Sequence, residues 1–432
     1  MVLLKLKRIN FLKKIASKLY SKIPNNDSVT SKDLFKRFSL HIIFIFALSL
    51  VVIPISNLDG LNPITHAFKD LTFSDIYFSR IRKGSLSDTA SSKVYIVNIG
   101  QKDKETTRKE VSNFLNKIND NPKFKPKSIG VDISFTSYSN DELIDKELSK
   151  SLMNENIVTI CDLKENGEVK YPEKNINVFQ TENFGFSKQW IEKDRPFTER
   201  YFKPRALVGK QNIDHISLAI IKTYDINLYN EFLKNKKIKE PNLINYRGNY
   251  AIKNSLSITD TLGLEKLKNK VVLIGLYEND TDGKPMYTED THWAPTNENY
   301  FGRSEKNIYG IEIQAHIISS IINDDFINSK NSFNNLFQFI ISILIYFMML
   351  RFYIRNKTKY VFAKLFMQLF IVIFLIVLSI LQIHWFNLYL DYTFITISAF
   401  VSAEIISIIE MIINRYYLSI KKIILTNILR RE

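Results

Sequence analysis

The chain has 432 residues and a formal net charge of +15, with 45% hydrophobic and 24% charged residues. That length suits one large domain or two modest ones. The charge argues against a nucleic-acid-binding face, because ten lysines and arginines fall in the first forty residues and more lie around apolar runs near the C-terminus, as the positive-inside rule expects. A single cysteine, Cys161, excludes an intramolecular disulfide and a thiolate metal cluster; the expectation is a buried side chain.

Residues 1–37 read as a basic cytosolic segment. The run "FSLHIIFIFALSLVVIPISN", 38–57, is uncharged over about the length a helix needs to cross a bilayer. The leader is long for a signal peptide and no A-x-A-like cleavage site follows, so the expectation is an uncleaved anchor, transmembrane helix 1.

Residues 58–335 form the domain expected outside the membrane. Short, apolar, β-branched runs predict strands at "VYIVNIG" (94–100), "SIGVDISF" (128–135), "IVTIC" (157–161), "LINYRG" (243–248) and "KVVLIG" (270–275). Between them, "ETTRKEVSNFLNKIND" puts Val111, Leu115 and Ile118 on one helix face, and "DHISLAIIKTY" and "NIYGIEIQAHIISSIIND" also have helical spacing. The stretch 164–205 lacks a period and reads as loops or an irregular insertion. The alternation predicts an α/β fold, a largely parallel sheet flanked by helices.

Three more spans are expected at 336–353, 361–385 and 388–413, followed by a basic tail, 414–432. The short basic loop "RNKTKY" goes inside, and the aromatic "HWFNLYLD", without lysine or arginine, goes outside. Both termini are then cytosolic around four transmembrane helices, one N-terminal and three C-terminal. The tail either extends the last helix along anionic lipid of the inner leaflet or docks on a cytosolic partner. Acids at bilayer depth usually face protein; Glu404 and Glu410 serve either as a relay or signalling contact, or structurally, with Glu404 packed in the bundle and Glu410 near the cytosolic interface.

Several patches, in order, carry a resemblance: "DLTFSDIYFSRIR", "KVYIVNIG", "PKSIGVDISF" with Asp132, "INYRG", "LKNKVVLIG" followed by "DTDG" and "DTHWAP", and "YGIEIQAHIISSII" with Gly310, Glu312, Ala315 and His316. In this order and inside a four-span frame, the chain resembles the type-2 CHASE domain, an extracytoplasmic sensory domain associated with histidine kinases, adenylate cyclases and other bacterial receptors. It departs where the family usually ends its first strand with acids, here Asn98, Gly100 and Gln101. Family members commonly continue into an output domain, whereas about twenty residues follow the last span here.

No Gly-x-Ser-x-Gly turn, H-E-x-x-H motif, phosphate-binding loop or complete EF-hand loop is present, so no catalytic residue, metal or cofactor is expected. Candidate ligand-binding residues are Asp132, at the end of a buried strand, and Arg247, either its partner or a contact for an anion. The acids Asp280, Asp282 and Asp290 either hold a cation with backbone carbonyls or sit in a solvated turn. Glu312 and His316 share one helix face, either as a titrating pair or as structural hydrogen-bonding groups. His292 is noted only as one of six histidines.

The resemblance implies a non-enzymatic sensor or receptor subunit in a bacterial inner membrane, its domain periplasmic, relaying an unknown ligand's signal to a separate membrane or cytosolic protein. Membrane lipid and a possible homo-oligomer complete the expected partners, with no nucleic acid. The alternative is a structural or assembly subunit of an envelope complex.

Overall fold

A computed structural model describes residues 34–43, 45, 72–81, 93–135, 137–161, 181–187, 198–208, 211–235, 241–247, 254–279, 285–287, 289–296, 306–329, 331–390 and 392–429. The chain divides into two compact units, one of residues 66–329 with 380–389, the other of 1–65, 330–379 and 390–432.

The first unit opens with a short helix, α1 (Phe73–Ile76), that runs into a π turn, Tyr77–Ile81. A six-stranded sheet follows, made of β1 (Val94–Asn98), β2 (Ser128–Val131), β3 (Ile157–Cys161), β4 (Phe184–Phe186), β9 (Ser255–Ser257) and β10 (Val271–Gly275). Its spatial order is β4-β3-β2-β10-β1-β9, and every pairing is parallel. Small pairings surround it: β5 (Tyr201–Phe202) with β8 (Asn242–Leu243), β6 (Arg205–Val208) with β7 (Gln211–Asp214), β11 (Thr291–His292) with β12 (Ile308–Tyr309), and β13 (Asn328–Ser329) with β14 (Leu388–Tyr389).

A parallel sheet must be covered on both faces, and the period of two along each strand divides the core accordingly. Val97, Ile129, Val131, Val272 and Ile274 face α2 (Lys104–Asp120), α3 (Glu142–Leu152) and the 3-10 turn Leu264–Leu267. Val94, Ile96, Val158, Val271 and Leu273 face α4 (Ile216–Tyr224), α5 (Ile226–Asn235) and α6 (Gly310–Ile322). On α2 the predicted Val111, Leu115 and Ile118 are all buried. The buried Arg108–Asp145 pair, 2.6 Å, joins α2 to α3. At Gly185 a Cβ would come within 2.6 Å of the Ile216 Cα, so only glycine lets the edge strand approach the start of α4.

Two expectations are corrected. The strand foreseen over 243–248 is reduced to Asn242–Leu243, outside the main sheet; Ile244 and Tyr246 are buried as core residues without sheet partners. Within the supposed insertion, Phe184–Phe186 pairs with β3 and completes the sheet.

α4 is capped by His215, whose Nδ1 accepts from the Ser217 N–H at 3.2 Å, between the rings of Phe186 and Phe202. Burial, only partly opposed by the Ser187 backbone, pushes this imidazole down to about 3.

The second unit contains α7 (Asn331–Arg355), α8 (Lys357–Phe386 as a whole helix) and α9 (Thr393–Leu429). Three stretches, Leu336–Arg355, Lys357–Phe386 and Ile395–Ile413, are apolar and long enough to cross a membrane, with mean hydropathies of 1.9, 2.7 and 1.9. α8 presents Phe362, Leu365, Phe366, Leu369, Phe370, Ile373 and Phe374 as an exposed apolar surface. Of the first expected span, residues 38–43 and 45 are described and helical; the rest lies outside the described residues. The tail continues α9 as helix to Leu429.

The two acids of α9 differ in burial, and Glu404, contrary to expectation, does not pack inside the bundle. Glu410 is 1% exposed and lies 3.2 Å from both Arg37 and His41, with His41 Nδ1 2.7 Å from the Tyr346 hydroxyl. Glu404 is 57% exposed and meets Lys364 at 2.7 Å. Ala399, Ala403, Ile406 and Glu410 form one buried stripe at steps of three and four, and Glu404 falls off it.

Removing Glu410 leaves Arg37 with less counter-charge in a buried site, so Glu410→Ala should destabilise the detergent-solubilised chain by about 3 kcal/mol or more. Glu404→Ala should cost less than about 1 kcal/mol, read as the difference between the two thermal unfolding curves. His215 gives a pH signature. Its folded pKa lies below the ordinary 6.5, so its contribution is complete above pH 6.5 and is lost as pH falls towards 3. His215→Asn keeps a cap that does not titrate and should flatten the fall of melting temperature across that window.

Candidate functional site

In an open parallel sheet, ligands bind beyond the carboxyl ends of the strands where the connections leave on opposite faces. Here β10 lies between β2 and β1. The helices after β1 and β2 cover one face, and α6, which follows β10, covers the other, so the edge around Gly275 is such a point. Asn98 Oδ1 accepts from the Gly100 N–H at 2.8 Å and from the Tyr277 N–H at 3.1 Å, which staples the ends of β1 and β10 together. The amide thus serves a backbone role where the resembling family carries acids. Asp132 follows β2, and its Oδ2 accepts from Gln314 Nε2 at 2.8 Å. Turning that amide over would set its oxygen against a carboxylate, so Gln314 Oε1 points away, buried and without a donor among the described residues. A Cβ on Gly275 would lie 2.9 Å from Ile311 Cδ1 and 3.2 Å from the Asp132 carbonyl oxygen.

Along α6, Glu312 and His316 are both buried. His316 Nδ1 accepts from the Arg247 N–H at 3.3 Å, and its ring meets Tyr246 edge-on at 5.2 Å. The Tyr246 hydroxyl donates to the Glu199 carbonyl at 2.5 Å. Arg247 pairs through its guanidinium with Asp325, while Asn245 donates to the Asp325 carbonyl at 2.7 Å. Burial, reinforced by the negative charge of Glu312, pushes the Tyr277 phenol far above its ordinary value. Arg200 and Asp75 form a buried two-pronged pair, Nε–Oδ1 2.8 Å and Nη2–Oδ2 2.7 Å, which pins α1 to the segment before β5.

Asp280 and Asp282 lie outside the described residues. Asp290 stands at the start of α6: its carbonyl accepts from the Gly310 N–H at 3.0 Å, and its carboxylate oxygens lie 3.0 Å from where a Gly310 Cβ would be. His292 lies between two acids, Nε2 3.5 Å from Asp290 Oδ1 and Nδ1 3.6 Å from Glu199 Oε1. Burial disfavours the imidazolium, but the two carboxylates outweigh it and push His292 up to about 9. These distances are ion-pair geometry; among the described residues no three such side chains are placed to hold a metal ion. The available signal for His292 was the Asp-x-His spacing, an acid two residues before an imidazole.

A family model, the CHASE2 domain, matches residues 46–352, and the chain belongs to that family. No curated protein and no solved structure matches it. CHASE2 is an extracytoplasmic sensory domain, and together with the apolar helices this makes the chain a membrane protein.

The buried Asp75–Arg200 pair supplies a test of what holds this face. Arg200→Met strands a buried carboxylate and should cost about 3–5 kcal/mol. Adding Asp75→Leu should restore most of that loss, measured by thermal unfolding of the full chain in detergent.

Proposed function

We propose that this CHASE2 protein is a non-enzymatic sensor subunit of a bacterial inner membrane, held by four transmembrane helices with its α/β unit on the periplasmic side. It detects an extracytoplasmic ligand and relays the signal to a separate protein. The single observation that carries the reading is the sensory-domain match across residues 46–352, which runs into the first of the apolar helices. The basic residues clustered before residue 38 and after residue 413 support a cytosolic position for both ends. A ligand at the Asp132–Gln314 edge acts by favouring one of two arrangements of the outer unit and its helices. The signal leaves through the bundle or the basic tail, and its recipient carries the kinase, cyclase or phosphatase chemistry.

Labelling tests the topology. Cys161 is buried, so an introduced thiol reports alone. In intact spheroplasts a membrane-impermeant maleimide should label Tyr138→Cys, whose parent residue is exposed, and should label Asn356→Cys, between α7 and α8, only after permeabilisation. The reverse pattern rejects the orientation. For the relay, an enzyme that co-purifies with the chain should change rate about fivefold or more with the chain present. An unchanged rate, with stable assembly into an envelope complex, would favour the assembly-subunit reading.

A further inference from the structure

The segment carrying His292 fastens the beginning of α6 to the rest of the outer unit. His292 pairs with Ile308 across β11 and β12, and its carbonyl accepts from the Asn307 N–H at 3.0 Å. The next residue, Trp293, accepts through its carbonyl from the Glu199 N–H at 2.7 Å and carries Lys306 Nζ 5.2 Å above its ring. Asp290 has a left-handed backbone, φ +53°, which asparagine and aspartate adopt more readily than most residues. That turn lets its carbonyl and its carboxylate both reach Gly310, where the positive end of the helix dipole favours an acid.

We propose that His292 is a proton-operated clasp on the first turn of α6, joining Asp290 and Glu199 while it is an imidazolium and releasing them when it loses its proton to solvent. Without its charge, two carboxylates face one neutral ring, and the 289–293 segment keeps its Trp293 backbone bond to Glu199 but loses the charge attraction at His292. The first turn of α6 then loses the support of the Asp290 carbonyl. Other charged and titratable groups stand around the clasp, among them Tyr246, whose hydroxyl donates to the Glu199 carbonyl. Arg200 is bound to Asp75, Lys306 lies over Trp293, the Tyr309 hydroxyl donates to the Glu278 carbonyl, and Glu289 is exposed. The ordinary imidazole value lies below that of His292 here, so the clasp's contribution to stability is complete below pH 6.5 and is lost as pH rises through about 9. The input is therefore alkalinity on the side of the membrane that the outer unit faces. That sensing role rests on the reading given above, whereas the clasp stands on its own geometry.

The full chain in lipid nanodiscs tests it. Emission of Trp293, isolated by subtracting a Trp293→Phe variant that leaves Trp190 and Trp385, should change between pH 7 and 10 with a midpoint near 9. Over the same range hydrogen exchange in the peptide containing Gly310, corrected for its intrinsic pH dependence, should accelerate. Asp290→Asn and Glu199→Gln should each lower the midpoint by about one unit. His292→Gln should show the open emission and fast exchange throughout. His292→Lys, a cation that does not titrate below about pH 10, should hold the closed state across the range. An unchanged midpoint in folded His292→Gln, or no transition in the parent chain, overturns the clasp. A transition that behaves as described, beside a partner enzyme indifferent to the chain, keeps the clasp and rejects the sensor.

Discussion

α6 is buried on every side, yet it brings Glu312, Gln314, His316, Ser319 and Ser320 into the interior. A polar group in such a place is costly unless something meets it, and this requirement organises the unit. Gln314 is met by Asp132 from the end of β2, His316 by the backbone of Arg247, and the first helical N–H by Asp290. Ser320 returns its proton to the His316 carbonyl one turn earlier. The partners come from segments far apart in the chain, so the helix gathers the sheet edge, the 244–247 segment and the β11 loop around one axis. A purely apolar helix would pack as well and specify none of these contacts.

Charge in this unit works mainly as address. Asp75–Arg200, Arg108–Asp145 and Arg247–Asp325 each join elements that backbone pairing leaves apart. Desolvation takes back much of the Coulomb energy of a buried pair, so their contribution lies in fixing which surfaces meet. The histidines show how local the outcome is. His215, enclosed by Phe186 and Phe202, is driven towards the neutral form by burial. His292 also feels burial, but two carboxylates within 3.6 Å reverse the result. One residue type serves as a neutral helix cap in one place and as a cation in the other.

The centre of the sheet was legible because β1, β2, β3 and β10 are short apolar runs with both faces buried, which is how parallel strands read. The edges were not: β4 and β9 have three residues each, too few to show a period. "LINYRG" looked like a strand because Leu243, Ile244 and Tyr246 do enter the core; beyond Leu243, which pairs with β5, burial produced the pattern without a place in the main sheet. Asp132 could be singled out as a carboxylate that needs company, but Gln314 stands 182 residues away, and nothing local to either residue announces the other. Arg247 meets Asp325, which follows α6, and the fold rather than the spacing brings that acid near.

The helical unit repeats this lesson in one dimension. Six residues separate Glu404 from Glu410, which at 100° per residue sets them about 120° apart around α9. Only one of them can face the neighbouring helices, and the stripe through Ala399, Ala403 and Ile406 selects Glu410. Small residues on that stripe let neighbouring helices approach α9 closely, and the Tyr360 hydroxyl of α8 donates to the Ala403 carbonyl at 3.1 Å. The buried acid then needs partners, and Arg37 and His41 meet it, four residues apart on one face of the helical segment 34–43. Glu404, on the other side, meets Lys364 near the surface. The same side chain thus fastens a third helix to the bundle at one position and decorates its outside at the other, and helical phase alone decides between them.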